Sequence, residues 1–413
     1  MTLPLEHSEM RYLLLRLKRF CGFITGFVFF IGGILKLMDP VGAGLVMGEY
    51  LDFLHIGFLG FASKVLGVAF ALAETIIGTA LITGIWRKAT GIAAMAFQAF
   101  FTLLTLALVI FNPEMDCGCF GEAIHLTHMQ TFLKNIVLCI LLAVYFFPSK
   151  MLGQPLKKKF VSFGIVTVSV VVFTIYSWSH IPLVDFTDYK PSAMLKAADT
   201  FASSEDMYEA VFIYEKDGTE EAFDLGHLPD STWNFVRTET NIREGYEEDD
   251  LLDLSFSDAS GEYRDELAAE GRVMVLSVYD SDMKSGKWRK EARFINEARL
   301  AGFSTLLLVA ATPEKMDAVM AGLDGETAGI LRSCMCFSDY KTIIAMNRSN
   351  GGATYFSDGQ LIRKWSFRAL PDSEKLLEIQ AEDETETVIY HDTKGSLGFQ
   401  GFLLYVFAVM MLL

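Results

Sequence analysis

Hydrophobic positions in this chain form long unbroken runs in one half and short alternating stretches in the other. Four runs, at about residues 20–37, 64–85, 89–111 and 130–147, are built almost wholly from Leu, Ile, Phe, Val, Ala and Gly. Each is close to the ~20 residues that a helix needs to cross a bilayer. A fifth run, about 160–178, follows Lys157-Lys158-Lys159, and a sixth, 397–413, closes the chain at about 17 residues, which is marginal for a span. The first run does not read as a cleaved signal, because more spans follow and no small-residue cleavage site stands out. The pattern predicts an α-helical transmembrane bundle of four helices with one or two extra spans.

Between about residues 182 and 395 the period changes. Val273–Tyr279 and Ser304–Ala310 read as short apolar strands on either side of a helix through Lys290–Leu300. Pro313–Leu323 reads as a helix, with Thr312 as N-cap and Pro313 at the first helical position. Gly352–Trp365 reads as a hairpin turning at Asp358-Gly359. Upstream, Ala210–Lys216 and Gly218–Phe223 suggest strand, turn and strand, followed by the turn Leu228-Pro229-Asp230 and then Trp233 and Phe235. The βαβ order followed by a hairpin predicts an α/β domain. The expected organisation is a four-helix membrane domain over 1–148, a fifth span over 149–180, a small subdomain or linker over 181–250, an α/β domain over 251–395 and a C-terminal segment over 396–413.

Composition sharpens this division. The chain of 413 residues is 52% hydrophobic yet carries 51 acidic against 35 basic residues, a formal charge of −16. Its mean hydropathy is +0.33. Most of the acid lies after residue 182, which excludes nucleic acid as a partner because phosphates would be repelled. No GxxxxGK[ST], HExxH or EF-hand pattern is present, and no His/Cys/Asp group has metal spacing.

Basic residues set the orientation. Arg11, Arg16, Lys18 and Arg19 precede the first run, Trp86-Arg87-Lys88 separates the second from the third, and Lys150 with the triple lysine separates the fourth from the fifth. All three clusters fall on one side if every run crosses, so that side is expected to be cytoplasmic. The loops 38–62 and 112–129 and the acidic region then face outward, which in a bacterium means the periplasm, where thiols are driven toward disulfides.

Candidate chemistry sits in the second of those loops, Asp116-Cys117-Gly118-Cys119-Phe120-Gly121. Two thiols one residue apart can cycle between dithiol and a strained small-ring disulfide, and strain makes a disulfide a better oxidant. The helix beginning near residue 130 and Lys134 would stabilise a thiolate lying close to them. His125 and His128 either tune these thiols or are idle loop residues. Glu74, mid-span, is either a proton-transfer or ligand group or a structural hydrogen bond to a neighbouring helix, with Gln98 as a candidate partner. Lys36 ends the first span and reads as a positioning residue able to snorkel. The loop 38–62, with Glu49-Tyr50 and His55, reads as a surface-lying helix roofing the bundle. Cys21 and Cys139 read as small hydrophobes inside spans. Cys334 and Cys336, at i and i+2, would face the same side of a strand, and read either as buried strand residues or as a displaced redox pair that meets Cys117 and Cys119.

Gly32-Gly33-Ile34-Leu35-Lys36 with Asp39-Pro40, then Glu49-Tyr50, Glu74, Cys117-Gly118-Cys119-Phe120-Gly121 and Lys134-Asn135 together resemble the DoxX-like/MauE family over roughly residues 10–148. That resemblance implies a four-helix bacterial inner-membrane protein linked to disulfide formation during protein maturation beside a thioredoxin-like partner. It points to Cys117 and Cys119 as the reactive pair, with Glu74, Lys134, Asn135 and Lys36 in support, and to a quinone as a candidate electron acceptor. The acidic domain is similar to redoxin-type thioredoxin folds, with Leu251-Leu252-Asp253-Leu254-Ser255-Phe256 as a leading hairpin. It departs from them where the chemistry would be. Asp280-Ser281-Asp282-Met283 replaces Cys-x-x-Cys, and Ser349-Asn350-Gly351-Gly352 stands where a cis-proline normally precedes the last hairpin.

Two functions remain open at this level. One is thiol–disulfide exchange with envelope proteins, or with a separate thioredoxin-like protein, through the Cys117/Cys119 loop. The other is a non-enzymatic scaffold presenting a thioredoxin-like binding domain. A transporter is disfavoured by the single buried acid and the absence of an internal repeat.

Overall fold

A computed structural model describes residues 3–113, 115, 117–148, 156–196, 208–216, 219–223, 229, 233–242 and 251–412; side chains of residues 3–9, of Asp392 and of most of 208–242 are not described. Lys150, Asp116, Leu228 and Asp230, singled out above, lie outside the described residues. The chain divides into two compact units, Met1–Thr187 with Ile389–Leu413, and Asp188–Val388.

The first unit is helical. Its helices are α1 (Leu3–Met38), α2 (Pro40–Phe53), α3 (Ser63–Thr83), α4 (Arg87–Phe111), α5 (His128–Phe146) and α6 (Lys157–Ser179). Among the described residues six segments are long and apolar enough to cross a membrane: Met10–Met38, Gly57–Thr83, Arg87–Phe111, His128–Phe146, Lys157–Ser179 and Glu384–Leu412. The chain is therefore a multi-pass membrane protein. The apolar run expected over 397–413 is the distal part of that last, 29-residue helix.

Small residues let α1 and α3 approach closely. A Cβ on Gly26 would stand 2.8 Å from the Gly78 carbonyl, and one on Gly33 would collide with Thr75. This is the small-residue contact typical of membrane helices, where hydrophobicity supplies no force between segments. Thr75, Thr79 and Thr83 donate to carbonyls one turn back at 2.7–2.8 Å, so their buried hydroxyls are satisfied within α3. Lys18, 2% exposed, donates to the carbonyls of Tyr145 at 3.1 Å and Phe147 at 2.7 Å. A residue read as part of a basic flank thus caps the last turn of α5, where cations suit the helix dipole.

The expected helix within 38–62 is α2, started by Asp39, whose carboxylate accepts from the amides of Val41 and Gly42, with Pro40 at the first helical position. Asn112 ends α4 in the left-handed region, and the chain enters a short strand β1 (Cys119–Glu122) before α5. Thr127 opens α5 through a reciprocal capping box with Gln130.

The second unit holds a seven-stranded mixed sheet, ordered β6-β2-β11-β10-β7-β8-β9. Here β2 is Met194–Leu195, β6 Leu251–Leu252, β7 Arg272–Val278, β8 Ser304–Val309, β9 Met335–Phe337, β10 Gly352–Ser357 and β11 Gln360–Trp365. β7, β8 and β9 run parallel, while β10 pairs antiparallel with β7 and turns into β11 at Asp358-Gly359, both with positive φ as a tight hairpin requires. Between β7 and β8 runs α7 (Ser285–Leu300), which buries Trp288, Ile295 and Ala298 on one face of the sheet. Phe256, Ile343 and Met346 belong to a second core cluster with the other inward positions. The expected leading hairpin at 251–256 is a correction: Leu251–Leu252 pairs parallel with Met194–Leu195, and the hairpin shrinks to a single bridge between Ser257 and Tyr263. Asp258 organises that turn by accepting from the Ser260 hydroxyl and from the amides of Ser260 and Glu262, bonds that hold its carboxyl at about 2.

A separate antiparallel sheet has three strands, β4 (Thr219–Phe223), β3 (Tyr208–Lys216) and β5 (Asn234–Ile242), with β3 in the middle. It matches the strand-turn-strand pattern read from this stretch.

Candidate functional site

The residues singled out in the membrane half converge on one place. Lys36, Glu74, Gln98, Cys117, Cys119, Lys134 and Asn135 all line a largely apolar cavity of about 60 Å³ within the first unit, room for roughly four water molecules. The floor is α1. The Cys119 carbonyl lies 3.3 Å from where a Cβ on Gly32 would sit, and the Gly121 backbone lies against Leu35 and Lys36. A side chain at 32 would be crowded between the Glu74 carboxylate, 3.0 Å from that Cβ, and the cysteine strand. Gly118 has φ +55, and a Cβ there would collide with Val46 of α2. Only glycine takes that conformation without cost between two cysteines.

Cys117 is 4% exposed and packs with Tyr50, Leu104 and Leu108. The Tyr50 hydroxyl donates to the Cys117 carbonyl, which fixes the backbone of the loop. The Cys117 Sγ stands 2.9 Å from Nδ1 of His128, whose Nε2 stands 3.0 Å from the Pro113 carbonyl. A carbonyl only accepts, so Nε2 carries the hydrogen and Nδ1 is left to accept the thiol proton. This thiol, base and orienting-group order is the arrangement that activates a cysteine. His128 is also the first residue of α5, and the N-terminal end of a helix favours a thiolate. Of the two histidines read from the loop, His128 is engaged with the thiol, while His125 is exposed.

Glu74 is paired with Lys36 at 2.6 Å, both half-buried. Gln98, a candidate partner for that acid, instead donates to the Asn135 carbonyl at 3.2 Å. Asn135 donates to Thr105 Oγ1 at 3.1 Å and so ties α5 to α4. The Lys134 ammonium lies 4.9 Å from the Phe120 ring centroid, a cation–π contact. It faces the ring within the Cys-Gly-Cys-Phe-Gly element, whereas the contact on the thiol is made by His128.

Cys334 and Cys336 behave differently. Cys334 lies in the turn before β9 rather than on the strand, and the two side chains enter separate core clusters, a correction to the same-face expectation. Burial raises both thiols above the usual range; Cys336 is pushed to about 11, with neighbouring Cys334 and Asp258 adding to the effect. Thiols held protonated in this way are poor nucleophiles. The segment Asp280–Met283, which replaces Cys-x-x-Cys, is tied to the loop before β10: Asn350 Oδ1 accepts from the Asp280 amide at 2.9 Å and Nδ2 donates to the Asp280 carbonyl at 2.8 Å. Among the described residues no disulfide joins any two of the six cysteines, and no group of metal ligands occurs.

Sequence reasoning missed Tyr50 as the loop's anchor and left His128 undecided. The signal for His128 was its place directly after Thr127, a good N-cap, which puts its ring at a helix start facing back toward the loop.

No curated protein and no solved structure matches the chain. Residues 208–244, covering the three-stranded sheet, match the profile of a domain of unknown function (DUF8463). Residues 11–148, the stretch carrying this site, match the family described as methylamine utilisation protein MauE, and the first four membrane spans are a MauE family domain.

Proposed function

We propose that this protein sits in a bacterial inner membrane and exchanges thiols and disulfides with envelope proteins through Cys117 and Cys119. The observation that carries this reading is the Cys117 Sγ–His128 Nδ1 contact at 2.9 Å, with the imidazole oriented by Pro113. In the exchange the Cys117/Cys119 dithiol becomes a disulfide while a partner disulfide becomes a dithiol, so two electrons and two protons pass between proteins and no further oxidant is needed. His128 holds the proton that leaves or returns to Cys117. The family description concerns methylamine utilisation, and we extend to this chain an accessory role in maturing envelope proteins.

A quinone does not fit the cavity as an electron carrier. At about 60 Å³ it is less than half of the ~150 Å³ that admits a benzene ring. Its ion pair is also closed on itself.

We read the second unit as thioredoxin-like, supported by the parallel β7–α7–β8 unit followed by the β10–β11 hairpin. Its own cysteines are buried and its Cys-x-x-Cys position is Asp280–Met283, which favours binding a partner over exchanging with it. That observation is also what supports the scaffold reading. The two are separated by incubating the purified chain with glutathione redox buffers and mapping disulfides by mass spectrometry. Exchange requires a Cys117–Cys119 disulfide that forms and breaks with the buffer ratio; a dithiol that stays reduced across the series leaves the scaffold. The periplasmic placement is tested by an alkaline phosphatase fusion after residue 200, which should be active.

A further inference from the structure

We propose that the two cysteines have fixed and different roles: Cys119 forms the mixed disulfide with a partner protein, and Cys117, held against His128, is the sulfur that leaves and returns. This rests on the exchange reading above and adds to it the site of the partner bond.

Access decides the first half. A thiolate must approach a disulfide along the S–S axis, so the more open sulfur is the one attacked. Cys117 is 4% exposed and is screened by Tyr50, Leu108 and the His128 ring. Cys119 opens β1 and is half-buried.

Charge decides the second half. When a partner thiolate attacks Cys119 Sγ, a new S–S bond forms there and the Cys117–Cys119 bond breaks. Its electron pair goes to Cys117 Sγ, the atom 2.9 Å from His128 Nδ1, and a proton carried on that nitrogen neutralises it. The partner's second thiolate then attacks the partner's first sulfur in the mixed disulfide; the bond to Cys119 breaks and Cys119 leaves as a thiolate that takes a proton from water. The partner leaves oxidised by two electrons and the loop is left as a dithiol. The reverse path runs over the same atoms: Cys117, deprotonated by His128, attacks Cys119 Sγ of the mixed disulfide and expels the partner thiolate. The partner is thus a protein dithiol or its disulfide, presented on a segment open enough to reach Cys119.

The test uses the full-length chain in detergent, reduced and then given glutathione disulfide as the probe, with glutathione adducts located by peptide mass spectrometry. In Cys117→Ser, resolution is blocked and glutathione should remain on Cys119. In Cys119→Ser, the adduct on Cys117 should be roughly tenfold lower or more, since a screened thiol exchanges slowly. The wild type should resolve to the Cys117–Cys119 disulfide. A stable adduct on Cys117 in Cys119→Ser, or none on either variant while the wild type still oxidises, overturns the role assignment and leaves exchange standing. A wild type that never oxidises overturns the exchange reading itself. Brief alkylation of the folded, reduced wild type gives the same answer without a variant. Cys119 should label roughly tenfold faster than Cys117, and equal or inverted labelling contradicts the assignment.

Discussion

The Lys36–Glu74 pair gives a prediction whose size follows from geometry. At 2.6 Å and an effective dielectric near 20, the attraction between the charges is about 6 kcal/mol. Taking the two ions out of water costs several kcal/mol each, so the intact pair contributes little net stability. Its removal is a different matter when only one partner goes. Glu74→Leu leaves the Lys36 ammonium beside an apolar cavity with its desolvation cost uncompensated, a loss of about 3–5 kcal/mol. Lys36→Met strands the carboxylate in the same way. The double variant replaces two charges by apolar side chains of similar volume and should lie within about 1 kcal/mol of the wild type. The assay is equilibrium unfolding of the full chain in mixed detergent micelles, followed by helical circular dichroism and read as a double-mutant cycle. A coupling of about 5 kcal/mol or more is expected. Single variants each within about 0.5 kcal/mol of the wild type, or a double variant whose loss is the sum of the two, would falsify the idea that the charges hold each other in place.

Three further outcomes follow from other parts of the molecule. His128→Gln keeps the size of the ring's neighbour but cannot take a proton, and should slow the Cys117-dependent exchange roughly 10²-fold by stopped-flow thiol release, the low end for a lost general base; an unchanged rate removes His128 from the chemistry. Gly118→Ala should destabilise the loop by about 1–2 kcal/mol from its left-handed backbone alone. Adding Val46→Ala should recover the steric part of the loss but not the backbone part, read as hydrogen exchange at Cys117–Glu122. Glu291 is fully buried on α7 with neither carboxylate oxygen hydrogen-bonded, and burial raises its carboxyl well above the usual 4.5. An acid raised in the folded state contributes full stability below its unfolded value, and that stability is lost as pH rises toward the folded value, at up to about 1.4 kcal/mol per pH unit. Glu291→Gln should flatten this slope in hydrogen exchange of Ser285–Leu300; a slope equal to the wild type's would place the titration elsewhere.

How much of this could be read from the sequence depended on the range of the interaction. The spans were visible because lipid demands ~20 apolar residues in a row, a local signal. The cap at Thr312 was equally local, and the structure puts it at a helix start; Asp39 and Thr127, which cap α2 and α5, carry the same local signal but were not read as caps. The strands Val273–Tyr279 and Ser304–Ala310 match β7 and β8 to within a residue because short apolar runs between turn signals have few alternatives. Pairing was the part that spacing could not carry. Lys36 and Glu74 are 38 residues apart, and their meeting depends on glycines that let α1 and α3 touch. Cys334 and Cys336 invited a same-face reading because the strand was taken to begin earlier; it begins at Met335, which leaves Cys334 in the turn. His128 was visible as a residue, but its ring orientation depends on a carbonyl 15 positions earlier.

The central claim is that Cys117 and Cys119 change redox state in the living envelope. Differential thiol alkylation of native membranes, followed by mass spectrometry and controlled with Cys117→Ser and Cys119→Ser, measures this directly. The account predicts a divided population, in which a fraction of the chain carries a Cys117–Cys119 disulfide that disappears in either variant. Both thiols fully reduced in an oxidising envelope under every growth condition would contradict it.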